Sequence, residues 1–262
     1  MQDYVFTLAG ALVGFCVGLT GVGGGSLMTP LLLALGVTPA TAIGTDLLYA
    51  SITKSGGVLV HMKKRTINWR VVGLMSLGSL PFSAATVWML KTFFNNSNEY
   101  KSVLTTSLGL MLMLTALSLI FKPQLQAFHN ASPRKNEMRA FIDQHANLFT
   151  ILMGAALGIL VTLSSVGAGA FGVMVLLVLY PRLATISIIG TDVTHAVTLT
   201  LIAGLGHMSM GNVDLSLLGK LLLGSLPAIY VGTHLSARLP ERVIQPLLGL
   251  TLAALSVKFV FY

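Results

Sequence analysis

Apolar residues fill most of the chain in long blocks, and short polar or glycine-rich stretches separate these blocks. In the first half the blocks predict five helical segments, at Tyr4–Leu19, Ser26–Leu35, Pro39–Met62, Asn68–Leu90 and Tyr100–Phe121. The second half predicts five more, at Asn147–Leu163, Ala170–Leu179, Ala184–His207, Asp214–Ala237 and Glu241–Val260. The first two segments of each half are only roughly 25 and 15 Å long, against a hydrocarbon core of about 30 Å. We therefore expect each pair to bend at a glycine-rich break inside the membrane.

The two halves also resemble each other. Five motifs recur in the same order: Gly10–Gly14 as Gly154–Gly158, Val22–Gly25 as Val166–Gly169, Gly44–Asp46 as Gly190–Asp192, His61–Met62 as His207–Met208 and Gly78–Pro81 as Gly224–Pro227. This order indicates a duplication, with repeats at about 4–121 and 147–262 and a loop at 122–146. Because the number of predicted crossings between equivalent positions is odd, the repeats should be inverted, as in many secondary transporters.

Composition limits the class of protein. Hydrophobic residues make up 54% of the chain, charged residues 9%, and the mean hydropathy is +0.83. These values predict an all-α integral membrane protein, with residues 1–262 forming a single polytopic membrane domain. The start of the chain lacks a basic n-region, so we expect no cleaved signal peptide. Cys16 is the single cysteine, which excludes an internal disulfide and makes a metal or redox site a poor interpretation.

The position of the charges matters more than the net charge of +8, which we do not assign to nucleic-acid binding. Basic residues cluster directly after His61, whereas the equivalent loop after His207 has no lysine or arginine before Lys220. Placing the basic loop inside the cell also places the loop at 122–146 inside, and both termini on the outer side. The basic loop between Lys91 and Lys101 would then lie outside, against the same rule.

The glycine-rich breaks carry the most specific candidate chemistry. A helix that begins in mid-membrane leaves its first N–H groups without partners, and its dipole places about half a positive charge there, so its start suits an anion. Glycines let the backbone approach a ligand closely, and hydroxyls nearby are either further donors or bonded to helix carbonyls. The predicted substrate-binding residues at the breaks are Thr20, Gly23, Gly24, Gly25, Ser26, Ser164, Ser165, Gly167, Gly169 and Ala170.

The long third segment of each half carries polar and ionisable residues, which are costly in a membrane and usually line a cavity or pair with one another. Asp46 and Asp192 have two candidate roles, bonding to backbone amides of the broken helices or coupling to a proton or cation. Lys54, whose equivalent is Thr200, either attracts the anion, carries a proton or pairs with a carboxylate such as that of Asp46. The candidates for coupling or for structure are Thr45, Asp46, Tyr49, Thr191, Asp192 and His195.

The histidines differ in their predicted depth. His61 and His207 fall at helix ends, where we expect them to be solvated. His195 lies deeper in its segment and could titrate near neutral pH.

The stretch Gly18–Leu35 followed by Gly44–Asp46, with the degenerate copy Ser164–Ala170 and Gly190–Asp192, resembles the TauE/SafE family of membrane permeases, also called the 4-toluene sulfonate uptake permease family. The resemblance covers nearly the whole chain. It implies a transporter, permease or exporter, of sulfite, organosulfonates or related sulfur oxyanions in the bacterial inner membrane. In the second copy Ser165 and Ala168 replace Gly21 and Gly24, so the two half-sites should differ in their contacts with the substrate.

The alternatives are an anion channel or a transporter of another small carboxylate or oxyanion. A membrane enzyme is disfavoured, because the chain has no H-E-x-x-H, G-x-S-x-G or phosphate-loop motif. We expect no cofactor and no metal. The expected partners are the small anion and the lipid bilayer, while a coupling proton or cation and a homodimer are left open.

Overall fold

The computed structural model describes residues 2–20, 25–93, 97–130, 144–236, 250 and 252–257. Within these ranges the chain is helical and has no strand. The helices, in chain order, are α1 (Gln2–Thr20), α2 (Gly25–Ala34), α3 (Pro39–Lys63), α4 (Trp69–Phe93), α5 (Ser97–Asn130), α6 (Ala146–Ser164), α7 (Ala170–Leu179), α8 (Thr185–Ser209) and α9 (Leu215–Ser236).

The predicted segments agree closely with these helices, with one larger difference. Helix α5 does not end at Phe121 but continues to Asn130, so the first part of the predicted loop at 122–146 is helical. The apolar run ends near Phe121, but the residues after Pro123 are largely strong helix formers. Such residues can continue a helix past the end of an apolar segment. Most of the last predicted segment, Glu241–Val260, lies outside the described residues, and residues 252–257 are helical.

Five of the described helices are long and apolar enough to cross a membrane, judged by length and composition: α4, residues 99–121 of α5, α6, α8 and residues 215–235 of α9. Helix α3 has 25 residues, about 37 Å, which is also sufficient length, but Asp46 and Lys54 lower its hydropathy. Helices α2 and α7 have 10 residues each and are too short to cross alone. The prediction of an all-helical protein with several helices able to span a membrane is therefore confirmed for the described part of the chain.

The first helix of each half packs against the fourth helix of the other half. Gly10 and Gly14 on α1 face Leu221 and Ser225 on α9, and a Cβ at either glycine would collide with the facing backbone. The residue numbers rise together along the contact, so α1 and α9 are parallel. In the other pair, Gly154 and Gly158 on α6 face Met75 and Ser79 on α4 in the same way. These glycines bring helix backbones into direct contact, which is a common basis of helix association in membranes.

Helices α3 and α8 cross at the centre and run in opposite directions. Gly204 faces Leu48, the Ser51 hydroxyl donates to the Val197 carbonyl (3.4 Å), and Gly57 faces Val193. Ser51 and Val197 are separated by the same 146 positions as Asp46 and Asp192. The two helices thus meet at equivalent positions, and their buried faces carry the polar residues of the candidate site.

Candidate functional site

The second glycine-rich break separates α6 from α7 inside the protein. Ser165 follows the last residue of α6 with φ of 60°, and Gly167 and Gly169 have φ of 114° and 132°. Such positive values favour glycine, and they turn the backbone between the two helices. Ser165, Val166 and Ala168 are all buried in this turn. The predicted break is therefore present in the second half, and α7 begins at Ala170 as expected.

Lys54 joins α3 to this break. Its side chain is only 9% exposed, and its ammonium donates a hydrogen bond to the Ala168 carbonyl (2.9 Å). It also interacts electrostatically with the carboxyl groups of Asp192 and Asp46. Neither carboxyl is hydrogen-bonded to the ammonium. Among the described residues Asp46 accepts one hydrogen bond, from Thr29, and Asp192 accepts none. The predicted direct pair of Lys54 with Asp46 is thus absent, and the ammonium lies near both acids.

Asp46 is held by a hydroxyl group. The Thr29 hydroxyl of α2 donates to its Oδ2 (2.5 Å), and the Thr29 amide and the Ser165 hydroxyl lie near the same carboxyl. The Ser165 hydroxyl has no hydrogen-bond partner of standard geometry among the described residues, whereas the Ser165 amide donates to the Val161 carbonyl (2.7 Å). Of the two predicted roles of Asp46, these contacts agree with bonding to a broken helix, because Thr29 lies on α2, but they include a hydroxyl that the sequence did not single out.

Asp192 occupies the equivalent position on α8 but has different surroundings. It is fully buried, and neither of its oxygens has a hydrogen-bond partner in the part of the chain that the structure describes. A Cβ added to Gly172 would collide with its Oδ1, so the carboxyl packs against the first turn of α7. The expected bonds from backbone amides to Asp192 are therefore absent from the described residues. Asp46, Lys54 and Asp192 together form a buried charge centre.

A second pair of equivalent contacts flanks this centre. The His195 Nε2 atom and the Ser79 hydroxyl are hydrogen-bonded (2.7 Å), and the His195 Nδ1 atom has no partner among the described residues. On the other side, the Tyr49 hydroxyl is buried close to Ser225. Ser79 and Ser225 both belong to the repeated Gly-Ser-Leu-Pro motif. The repetition of that motif was a signal for these two serines, although the prediction did not name them as site residues.

The predicted anion cradle is only partly described. The Ser164 hydroxyl bonds back to the Leu160 carbonyl (2.6 Å), so the interpretation as a helix-bonded hydroxyl holds for this residue. The amides of Ala170 and Phe171 open α7 and have no carbonyl partner within their own helix. Gly25 begins α2, and the following lie outside the described residues: Gly23, Gly24 and the side chains of Thr20 and Ser26.

Thr45 and Thr191 have a structural role. The Thr45 hydroxyl accepts a hydrogen bond from the Asp214 amide (3.1 Å), and the Thr191 hydroxyl accepts one from the Asn68 amide (2.9 Å). Asn68 and Asp214 precede α4 and α9 and accept amide hydrogen bonds from the first turns of these helices. Each threonine thus fixes the start of a helix in the other half.

The prediction for His207 was wrong. It is fully buried, and its Nε2 atom is hydrogen-bonded to the Thr162 carbonyl (2.9 Å). The loop after α8 folds back, and Asn212, which donates to the Tyr100 hydroxyl (2.6 Å), lies beside the histidine ring. The equivalent His61 is half-buried and pairs with the Thr66 hydroxyl (2.8 Å). Position at a helix end did not predict solvation, because the adjoining loop covers one of the two ends.

A cavity of about 360 Å³ opens at the end of the molecule that contains the basic loop after His61. Two exposed arginines, Arg70 and Arg182, line it together with Asn68, Asn147 and Tyr180. The cavity brings the loop after α3, the loop after α7 and the start of α6 to the same end of the molecule. Its positive and amide side chains can donate hydrogen bonds to a small anion.

Comparisons with known proteins identify a family model and several membrane transporter relatives. A family model described as "Sulfite exporter TauE/SafE" matches residues 6–259. The "Probable membrane transporter protein YjnA" of Bacillus subtilis is 38% identical over 91% of this chain and 92% of its own length. A "Probable membrane transporter protein" of Xylella fastidiosa is 29% identical over 98% and 95%, and the "Probable membrane transporter protein YunE" of Bacillus subtilis is 24% identical over 100% and 98%. No solved structure gives a significant match.

Proposed function

This chain belongs to the sulfite exporter TauE/SafE family of membrane transporters, and we propose that its substrate is a small sulfur oxyanion, sulfite or an organosulfonate, moved across the bacterial inner membrane. The names of the relatives do not specify a substrate, so the proposal depends on the buried charge centre. Its main support is the Lys54 ammonium, which is held inside the membrane domain beside the first turn of α7.

The chemistry of this position favours an anion. A buried ammonium is expensive in a membrane, and an oxyanion that binds it relieves that cost. The amides that open α7 add partial positive charge from the helix dipole on the same side. The unpartnered Ser165 hydroxyl can donate to the anion. A ligand with several acceptor oxygens matches these three kinds of donor, which is the reason for preferring an oxyanion to a halide.

The proposal includes two inverted repeats that surround this centre. Several contacts support the arrangement: α1 with α9 and α4 with α6 are equivalent parallel pairs, and the equivalent helices α3 and α8 cross in opposite directions. A twofold axis in the membrane plane reverses the direction of every helix between the two halves. Equivalent helices that cross, such as α3 and α8, must then be antiparallel, while the first helix of one half can lie parallel to the fourth helix of the other. The basic residues of the loop after α3 favour its placement in the cytoplasm, with both termini outside.

Two single cysteines in a Cys16→Ala background test this orientation. We expect Lys64→Cys, in the loop after α3, to react with an impermeant thiol reagent only after the cells are permeabilised. Ser209→Cys, beside the equivalent loop after α8, should react in intact cells, because both positions are exposed and inversion places them on opposite sides. Labelling of both from one side would contradict inverted repeats, and the reverse pattern would contradict the assigned orientation.

Transport itself is tested with purified protein in liposomes. Uptake of radiolabelled sulfite, thiosulfate, methanesulfonate and taurine should saturate with concentration, and an excess of one bound anion should inhibit uptake of another. Flux that rises linearly with concentration would indicate the alternative of an anion channel. Uptake of acetate or lactate with no uptake of any sulfur oxyanion would favour the other alternative, a carboxylate transporter.

A further inference from the structure

The buried charge centre contains two acids and one base. Asp46 and Asp192 are fully buried, Lys54 is 9% exposed, and Lys54 interacts electrostatically with both acids. If all three groups were ionised, the centre would have a net charge of −1 in a medium of low dielectric constant. A buried net charge is strongly unfavourable, so one of the two acids must be neutral when no other ion is present.

No other described charge compensates the centre. Helices α2, α6 and α7 contain no ionisable residue, and those on α4 are Arg70 and Lys91 at its exposed ends. On α5 and α9 the ionisable residues are Glu99, Tyr100, Lys101, Lys122, His129, Lys220, Tyr230 and His234, and none of them acts on either carboxyl among the described contacts. On α3 and α8 the remaining neighbours are Tyr49, which faces Asp46, and His195, which faces Lys54.

The hydrogen bonds indicate which acid is neutral in the empty protein. Asp46 accepts a hydrogen bond from the Thr29 hydroxyl and lies near the Thr29 amide, and donors of this kind stabilise a carboxylate. Asp192 accepts no hydrogen bond among the described residues, and a buried carboxylate without donors is more expensive than the neutral acid. The empty centre is therefore neutral with Asp46 ionised, Lys54 ionised and Asp192 protonated.

An incoming anion changes this balance. When a monovalent anion binds the Lys54 ammonium, the negative charge of Asp46 loses the group that balanced it. We infer that Asp46 then takes up one proton from the medium, so that its carboxylate becomes a neutral acid and the loaded centre is again uncharged. The protein is thereby a proton–anion symporter in which Asp46 binds the transported proton and Asp192 keeps its proton throughout. This inference rests on the proposed anion site at Lys54.

The experiment measures binding and proton uptake together. Methanesulfonate, a monovalent anion that does not itself titrate near neutral pH, is added to the purified protein by isothermal titration calorimetry in two buffers with different ionisation enthalpies. The dependence of the binding enthalpy on the buffer gives the number of protons taken up per anion. The wild-type protein should take up about one.

Two isosteric variants assign the proton. Asp46→Asn keeps an oxygen that can accept from Thr29, but it leaves Asp192 as the acid that balances Lys54, so this variant should still bind methanesulfonate and its proton uptake should pass to Asp192. Asp192→Asn, the matched change at the equivalent position, should still take up one proton. Loss of proton uptake in a folded Asp192→Asn protein that still binds methanesulfonate would overturn the assignment.

The wild-type protein alone gives a second readout if a variant does not fold. In liposomes, an inward methanesulfonate gradient should acidify the lumen, and a protonophore should abolish the acidification. Binding of methanesulfonate without proton uptake or lumen acidification would refute the inference and leave the proposed function intact. Failure to bind any of methanesulfonate, taurine, thiosulfate and sulfite would contradict the proposed function and, with it, this inference.

Discussion

The Lys54→Met variant is expected to bind a small oxyanion about tenfold or more weakly than the wild-type protein, a loss on the order of 1.4 kcal/mol. Methionine keeps an unbranched stem of similar length and removes the ammonium, which is the described cation nearest to the helix break. Affinity can be measured with purified protein by isothermal titration calorimetry. The control is Lys91→Met, which removes a charge from an exposed helix end and should leave affinity unchanged.

The same variant separates two roles of Lys54. If the ammonium mainly neutralises Asp46, the single change should lower the melting temperature, because it leaves a buried charge uncompensated. The double variant Lys54→Met with Asp46→Asn should then recover stability, and the two changes should be non-additive. A stable Lys54→Met protein with normal affinity would exclude both roles.

The second large effect is expected at Gly169. This residue has φ of 132° and ψ of −73°, a backbone conformation that residues with a Cβ rarely adopt. Gly169→Ala should therefore shift the turn between α6 and α7 and move the Ala168 carbonyl away from Lys54. We expect anion binding and transport to be lost, together with a stability loss of about 1–3 kcal/mol.

A matched variant controls for the backbone cost alone. Gly211 also has a positive φ, 76°, and no atom near the place of an added Cβ, but it lies in the loop after α8. Gly211→Ala should lower the melting temperature with little effect on affinity. If folded Gly169→Ala protein bound methanesulfonate as tightly as the wild type, the turn would not be part of the site.

The helices could be predicted from the sequence because they depend on local information. The apolar blocks predicted each described helix to within a few residues. The exception is the end of α5, where residues of high helix propensity continue the helix beyond the last apolar residues. The second glycine-rich break was also predictable, since glycines cannot propagate a helix in a membrane at low cost. Lys54 could be selected as the one ionisable residue in the middle of its segment without an ionisable equivalent.

The partners of these residues could not be predicted, because they come from distant parts of the chain. Sequence reasoning left bonding to backbone amides and ion coupling open for Asp46, and it did not identify the Thr29 hydroxyl on another helix as the donor. It left Asp192 with the same role as Asp46, although Gly172 and not a hydroxyl residue packs against it. The covering of His207 likewise depends on how one loop folds over another helix. Such contacts depend on how the helices pack, and the pattern of apolar residues along the chain does not predict this packing.

The exchange of helices between the two halves has a consequence for the synthesis of this protein. Gly10 on α1 packs against Leu221 on α9, so the partner surface of the first helix leaves the ribosome about 200 residues later. At about 5–20 residues per second this interval is roughly 10–40 s, during which the glycine face of α1 must remain in contact with lipid or with the insertion machinery. The first half therefore cannot complete its packing before the second half has been inserted, and a chain that terminates after α5 should be a substrate for membrane quality control.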